Sequence, residues 1–273
     1  MPRPGLPKLV ATDLDGTLVR SDDTVSAYTH AVLDRVRAAG IPIVGATGRG
    51  PRLTALTRND IRAADFLVLA GGGRVVDHTD PDDPVILRDE RMSGDTLAAV
   101  LTELERAVGP LRVMVEALDT PNAPLWGDPD PAWPYPDRFE PRTRAECLTG
   151  TVIKAFARST SYDVDELLAI AREIVPPTVA TITQAGLGFL EITPPGVDKA
   201  TGLRVVAEAL GVDPAEVLVF GDMPNDLPMF EWAGWSRVAV ANAHPHVRSA
   251  ADEVTLRNDD DGVAVYLDQL LSQ

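Results

Sequence analysis

Four times in this chain a short apolar run stops at a glycine-containing cluster. Residues 8–13 (KLVATD) run into Asp13-Leu-Asp15-Gly-Thr-Leu18, and 41–46 end in Gly45-Ala-Thr47-Gly48-Arg49. Residues 66–69 end in Gly71-Gly72-Gly73, and 217–220 in Gly221-Asp222-Met-Pro-Asn225-Asp226. Apolar runs this short, without polar alternation, read as strands buried on both faces of a parallel sheet. Helical patterns separate them. Over 24–39, Val25, Val32, Leu33 and Val36 recur at helical spacing, with Gly40 just past the end, where a C-terminal glycine belongs. Pro51 suits the first turn of a second helix over 51–58. Strand–helix–strand alternation requires a parallel sheet with helices on its faces. Ligands of such sheets bind beyond the carboxyl ends of the strands, where the four clusters fall.

The alternation breaks twice. Residues 77–84 (DHTDPDDP) are a polar break. After it the sequence predicts a strand over 85–87, a helix over 93–108 with Leu97, Val100, Leu101, Leu104 and Val108 on one face, and a strand over 111–118. A loop over 121–141, rich in Pro, Asp and aromatics, follows; loops of that length are often functional. Then come a strand over 151–157, a helix over 164–174 and a hairpin of 178–183 with 188–192. At 193–196 (TPPG) a second break restores the first rhythm: helix 201–210, strand 217–220, helix 227–232, strand 238–240, and helices 245–250 and 262–271. The expectation is a core domain made from 1–83 and 193–273, with an α+β domain inserted at 84–192.

Composition narrows the function classes. With 25 Lys+Arg against 41 Asp+Glu, the net charge is −16, so polyanions such as nucleic acid or anionic membrane are repelled. No apolar run reaches membrane-spanning length, and residues 1–8 lack the apolar heart of a secretory leader; a cytoplasmic protein is expected. The single cysteine, Cys147, allows no intrachain disulfide or Cys-rich zinc site and reads as a packing residue. His244-Pro-His246 reads as a turn opening a helix, not a metal site. Neither GxGxxG nor GxxxxGK[ST] occurs, which argues against nicotinamide and P-loop enzymes. Only three lysines are present, Lys8, Lys154 and Lys199.

Asp13 and Asp15, two residues apart at a strand end, repel each other unless a cation or proton lies between them. A hard cation such as Mg²⁺ takes one or two carboxylates together with phosphate oxygens and water. The hydroxyl of Thr47 and the backbone N–H groups after it suit a phosphate, though Thr47 could equally cap the next helix. Lys199, opening a helix in Gly196-Val-Asp-Lys199, could set a point charge over that phosphate or lie on the surface. Asp222 and Asp226 add two carboxylates at a further strand end, with Asn225 beside them.

In this order, LVATDLDGTL, IVGATGR, GVDKATGL and VFGDMPND resemble the haloacid dehalogenase superfamily of phosphohydrolases, and most closely its Cof-type sugar-phosphatase branch with a C2B cap. The late stretch from VAVANAHPHVRSAADEVT to NDDDGV is similar to that family's C-terminal part. The resemblance implies a Rossmann-like three-layer α/β core with an inserted α+β cap. It implies a Mg²⁺-dependent phosphatase of a small phosphorylated metabolite, a sugar phosphate; a monomer or homodimer is expected, though no motif sets the oligomeric state. Asp13 would be the nucleophile forming an aspartyl-phosphate. Asp15 would be the general acid and then the base, and its backbone carbonyl a metal ligand. Thr47 and the backbone of Gly48 would hold the phosphoryl oxygens, with Arg49 in the family's usual place. Lys199 would neutralise the phosphoryl group and Asp13. Asp222 would bind the metal, Asp226 would support it, and Asn225 would reach the phosphoryl group or the nucleophile.

Many relatives carry Asn-Gly-Ala where this chain has Gly72-Gly73-Arg74, which puts Gly72 at the asparagine's place. The same resemblance leaves open a mannosyl-3-phosphoglycerate-type phosphatase and a phosphomutase. Outside enzymes it leaves a non-catalytic ligand-binding regulator on the same fold. On the long loop, Arg138, Arg142 and Arg144 cluster with Trp126, Trp133 and Tyr135, either to hold a sugar and a second anion or to decorate a surface.

Overall fold

A computed structural model describes residues 5–127, 129–135 and 137–272. Residues 1–4 of the leader reading and positions 128 and 136 of the 121–141 loop lie outside the described residues, as does 273. The chain forms two compact units. The first comprises Met1–Thr47, Ala55–Arg88 and Asp198–Gln273, the second Gly48–Thr54 and Asp89–Val197.

The first unit is a Rossmann-like three-layer α/β core around an eight-stranded sheet. From one edge its strands run Glu253–Val254, Ser236–Ala239, Val217–Gly221, Leu9–Thr12, Ile43–Ala46, Phe66–Leu69, Arg74–Asp77 and Val85–Asp89. The first six pair in parallel and Arg74–Asp77 turns back antiparallel on Phe66–Leu69. Leu9–Thr12, Ile43–Ala46 and Phe66–Leu69 are buried throughout, as their unbroken apolar runs require. Ala27–Ala38 packs on the final helix Gly262–Leu271, and Lys199–Leu210 packs on Leu227–Trp232. The first of these helices starts where Ser26 Oγ accepts the Thr29 N–H at 3.0 Å. It ends at Gly40, whose φ of 79° suits glycine. Pro51 opens a 3₁₀ turn, Pro51–Leu53, that leads into Thr54–Asp60.

The apolar triplet at 85–87 does not begin a new sheet. It forms Val85–Asp89 at the edge of the large one, with all three side chains exposed. A run of that length does not encode which sheet it will extend, and here it prolongs the preceding Phe66–Asp77 hairpin. The chain therefore leaves the first unit at Arg88 and returns at Asp198.

The second unit holds a six-stranded sheet ordered Thr181–Gln184, Leu190–Thr193, Lys154–Arg158, Arg112–Glu116, Leu125–Gly127 and Phe139–Glu140. Leu97, Leu101 and Leu104 of Gly94–Val108 pack with Leu167 and Ala171 of Val164–Ile174 in its core. The 121–141 stretch, read as a loop, carries two short strands, Leu125–Gly127 and Phe139–Glu140, paired in parallel. Proline-rich flanks hide strands of two or three residues from any periodicity test. Its aromatics have structural partners: Trp133 stacks edge-on against Phe156 and Phe189 at 4.8 and 5.3 Å. Arg142 lies 4.0 Å over the Trp126 ring, and Arg144 donates to the Leu111 carbonyl at 2.9 Å. Cys147 is buried. Among the described residues, no helix is long and apolar enough to cross a membrane.

Candidate active site

Strand register builds the site. Thr12 pairs with Phe220 on one side and Gly45 on the other. Asp13, Asp222 and Thr47 are therefore carried just beyond three adjacent carboxyl ends of one parallel sheet. The Asp13 N–H donates to the Phe220 carbonyl at 3.0 Å, which locks the first two ends together. Thr47 is buried; its N–H reaches the Val68 carbonyl at 2.8 Å, and its own carbonyl accepts the Gly71 N–H at 2.9 Å.

Lys199 enters from the first turn of Lys199–Leu210, whose N-cap is Asp198; the Asp198 Oδ1 accepts the Thr201 N–H at 2.7 Å. Its side chain is 1% exposed. The ammonium donates to Asp13 Oδ1, and to Asp226 Oδ1 at 2.6 Å. Asp226 turns its other oxygen onto the N–H groups of Asp222 and Met223, both at 2.9 Å, so it fixes the loop that presents Asp222. Asp222 Oδ1 in turn accepts the Thr17 hydroxyl at 3.0 Å.

The electrostatics follow from burial. Desolvation raises the Asp13 carboxyl to about 7; Lys199 opposes that shift, and the charges of Asp226 and Asp15 add to it. Asp222 is pushed well above the usual range by burial and then by Asp13 and Asp226. Burial alone would depress Lys199, but the carboxylates of Asp13 and Asp226 hold it above its ordinary value. Carboxylate oxygens of Asp13, Asp222 and Asp226 lie within 4.8 Å of one another, all three residues buried. Three hard oxygen donors with one lysine between them leave negative charge uncompensated, and a hard divalent cation fits that donor set.

Of the residues singled out in the sequence, the first unit gathers Asp13, Asp222, Asp226 and Lys199 in direct contact or close approach. It carries Asp15, Thr47 and Asn225 on the neighbouring turns, Asn225 in the short Pro224–Asp226 turn. Gly48 and Arg49 belong to the second unit. Sequence reasoning missed three bracing residues. Thr17, inside the DLDGTL string, anchors Asp222. Asn242 donates to the Gly16 carbonyl at 2.8 Å and accepts the Asn258 N–H at 3.0 Å, while Asn258 donates to the Val19 carbonyl at 3.0 Å. The late NDDDGV stretch thus supports the loop after the first strand.

At Gly72 a Cβ would lie 2.0 Å from the Asp198 carbonyl oxygen, at a φ of 113°, so no side chain fits there. Gly71 has nothing within 4 Å of its Cβ position. Its φ of 63° and ψ of 22° are left-handed values that asparagine tolerates. Gly71 could therefore carry a side chain, whereas Gly72 is required by close approach of the turn bearing Lys199.

The chain belongs to the haloacid dehalogenase-like hydrolases: residues 10–120 and 134–267 match that family's sequence pattern. Within it the protein is a phosphatase, a phosphoric monoester hydrolase. It is similar to the 5-amino-6-(5-phospho-D-ribitylamino)uracil phosphatase YwtE of Bacillus subtilis, 27% identical over 97% of this chain and 98% of the other. A phosphoglycolate phosphatase of Natronomonas pharaonis is 31% identical over 95% of this chain and 96% of its own. The solved structure of a haloacid dehalogenase-like hydrolase from Bacteroides thetaiotaomicron superposes with a TM-score of 0.73. It is 27% identical and covers 97% of this chain and 99% of that one.

Proposed function

We propose that this phosphatase hydrolyses a small phosphorylated metabolite, a sugar phosphate, with Mg²⁺ and through an aspartyl-phosphate on Asp13. The observation that carries the reading is the contact of Asp13 with the buried Lys199 ammonium beside the Asp222 and Asp226 carboxylates. The metal would be held by Asp13, Asp222 and the backbone carbonyl of Asp15, with Asp226 bracing the Asp222 loop. Bound there, it supplies charge neutralisation for the phosphoryl group.

The chain's own residues do the rest. Asp13 attacks phosphorus, and the bond to the leaving alcohol oxygen breaks as Asp15 gives that oxygen its proton. Asp15, now a carboxylate, takes a proton from a water that attacks the same phosphorus. The bond to Asp13 breaks, inorganic phosphate leaves, and Asp13 is restored. Thr47 and the Gly48 backbone orient the phosphoryl oxygens, Arg49 and Asn225 assist, and Lys199 neutralises charge, so positioning and electrostatics lower the barrier. Relatives named for a phosphoribitylamino compound and for phosphoglycolate support a small, hydroxyl-bearing or acidic leaving group.

Hydrolysis of p-nitrophenyl phosphate with and without Mg²⁺, followed by a panel of sugar phosphates, tests the reading. Release of phosphate only with a divalent metal, fastest from a sugar phosphate, is expected. Preference for a non-sugar ester would overturn the substrate class.

A further inference from the structure

Two of the chain's three lysines are accounted for: Lys8 is an exposed partner of Glu216 at 2.6 Å, and Lys199 lies in the site. The third, Lys154, is only 3% exposed in the second unit. Its ammonium donates to the Gly48 carbonyl, pairs with Glu191 Oε1 at 2.7 Å and sits 4.4 Å over the Phe156 ring. A lysine is buried this deeply only where its partners offset the loss of water, and one partner here is a main-chain oxygen next in sequence to Thr47. The strap from Gly48 is fitted to these side chains. A Cβ at Gly48 would lie 3.3 Å from Glu191 Oε1, and one at Gly50 would lie 1.8 Å from Glu116 Oε1.

In a trans peptide the C=O and N–H point in opposite directions, and no described peptide bond is cis. The Thr47 carbonyl is held by the Gly71 N–H, so the N–H of the same peptide, on Gly48, is directed away from Gly71. The Gly48 carbonyl is held by Lys154, so the Arg49 N–H is directed away from Lys154. The cationic donor also polarises that peptide and makes its N–H a stronger donor toward an anion. Two successive amides are thus aimed by bonds made to their carbonyls.

We propose that Lys154 is a positioning residue for phosphate binding: it orients and polarises the Gly48–Arg49 amide without touching the phosphoryl group. This rests on the reading that Thr47, Gly48 and Arg49 seat the phosphoryl oxygens. The test is calorimetric binding of inorganic phosphate to the full chain at saturating Mg²⁺, with p-nitrophenyl phosphate kinetics alongside. Removing Lys154 alone would strand Glu191 as a buried charge, so the informative variant is the double change Lys154→Met with Glu191→Gln. It is expected to bind phosphate about tenfold more weakly, the loss of one preorganised donor, and to raise KM similarly. Glu191→Gln alone, which keeps the Lys154–Gly48 bond, and Lys154→Arg, which can remake it, are expected within about threefold of the natural chain. Mg²⁺ affinity should be the same in all four proteins. Unchanged phosphate affinity in the double variant, or a parallel loss of Mg²⁺ binding, would overturn the proposal. If the natural chain itself neither binds phosphate nor hydrolyses the ester, the failure lies in the seat beneath the proposal and overturns both.

Discussion

The ammonium of Lys199 lies 2.6 Å from an oxygen of Asp226, and neither side chain exposes more than 1% of its surface. The pair is buried within a parallel α/β core, and Asp13 shares the same ammonium. Removing one partner of a buried ion pair leaves an uncompensated charge. Lys199→Met is therefore expected to lower unfolding stability by about 3–5 kcal/mol in metal-free buffer, measured by urea denaturation. Mg²⁺ should restore part of the loss by neutralising the same carboxylates. A variant as stable as the natural chain without metal would show that the pair is not structurally coupled.

The raised Asp13 carboxyl gives metal binding a pH dependence. Its folded value of about 7 lies above its ordinary 3.8. A group raised in the folded state contributes stability fully below its unfolded pKa and loses it as pH rises through the folded one. Metal-free protein should accordingly lose stability between pH 4 and 7, by on the order of a few kcal/mol, and Asp13→Asn should reduce that slope, Asp222 supplying what remains. Mg²⁺ binds the deprotonated form, so its affinity should fall up to about tenfold per unit below pH 7, with proton release on binding. Calorimetry in two buffers of different ionisation enthalpy measures both; a flat profile would contradict the assignment.

Gly71 and Gly72 should respond oppositely. Gly72→Asn forces a Cβ against the Asp198 carbonyl next to Lys199. It should cost roughly 3 kcal/mol or more and reduce turnover, because strain there moves the ammonium. Gly71→Asn meets open space in a left-handed conformation and should stay within about 1 kcal/mol of the natural chain. Thermal unfolding and turnover of the two variants decide it; equal effects would show that the approach of Asp198 does not distinguish the two positions.

Thr17 should matter without touching the phosphoryl group. Thr17→Val keeps the shape but removes the bond to Asp222 Oδ1. It should weaken Mg²⁺ binding by about ten- to a hundredfold, the worth of one hydrogen bond to a charged metal ligand. Unaltered metal affinity would mean that Asp222 is held by its backbone alone.

Much of the core was legible because parallel strands buried on both faces write themselves as unbroken apolar runs. Asp13, Thr47, Asp222 and Asp226 could be picked out because strand ends in such sheets converge. The contacts that organise them were not, since Lys199 with Asp226 and Asn242 with Gly16 join residues far apart in sequence and carry no local period. The strand at 85–87 could be read, but not its sheet, because an apolar triplet does not say which edge it will extend. The short strands at 125–127 and 139–140 were hidden by prolines. Gly71 and Gly72 look alike in sequence; only the approach of Asp198 tells them apart.

The central claim is that Asp13 is the nucleophile. Turnover of p-nitrophenyl phosphate by Asp13→Asn at saturating Mg²⁺, beside a circular-dichroism check that the fold is retained, tests it most directly. A loss of at least about 10³-fold in kcat is expected, because the amide cannot form the phosphorylated intermediate. A folded variant retaining a tenth or more of the natural rate would contradict the account.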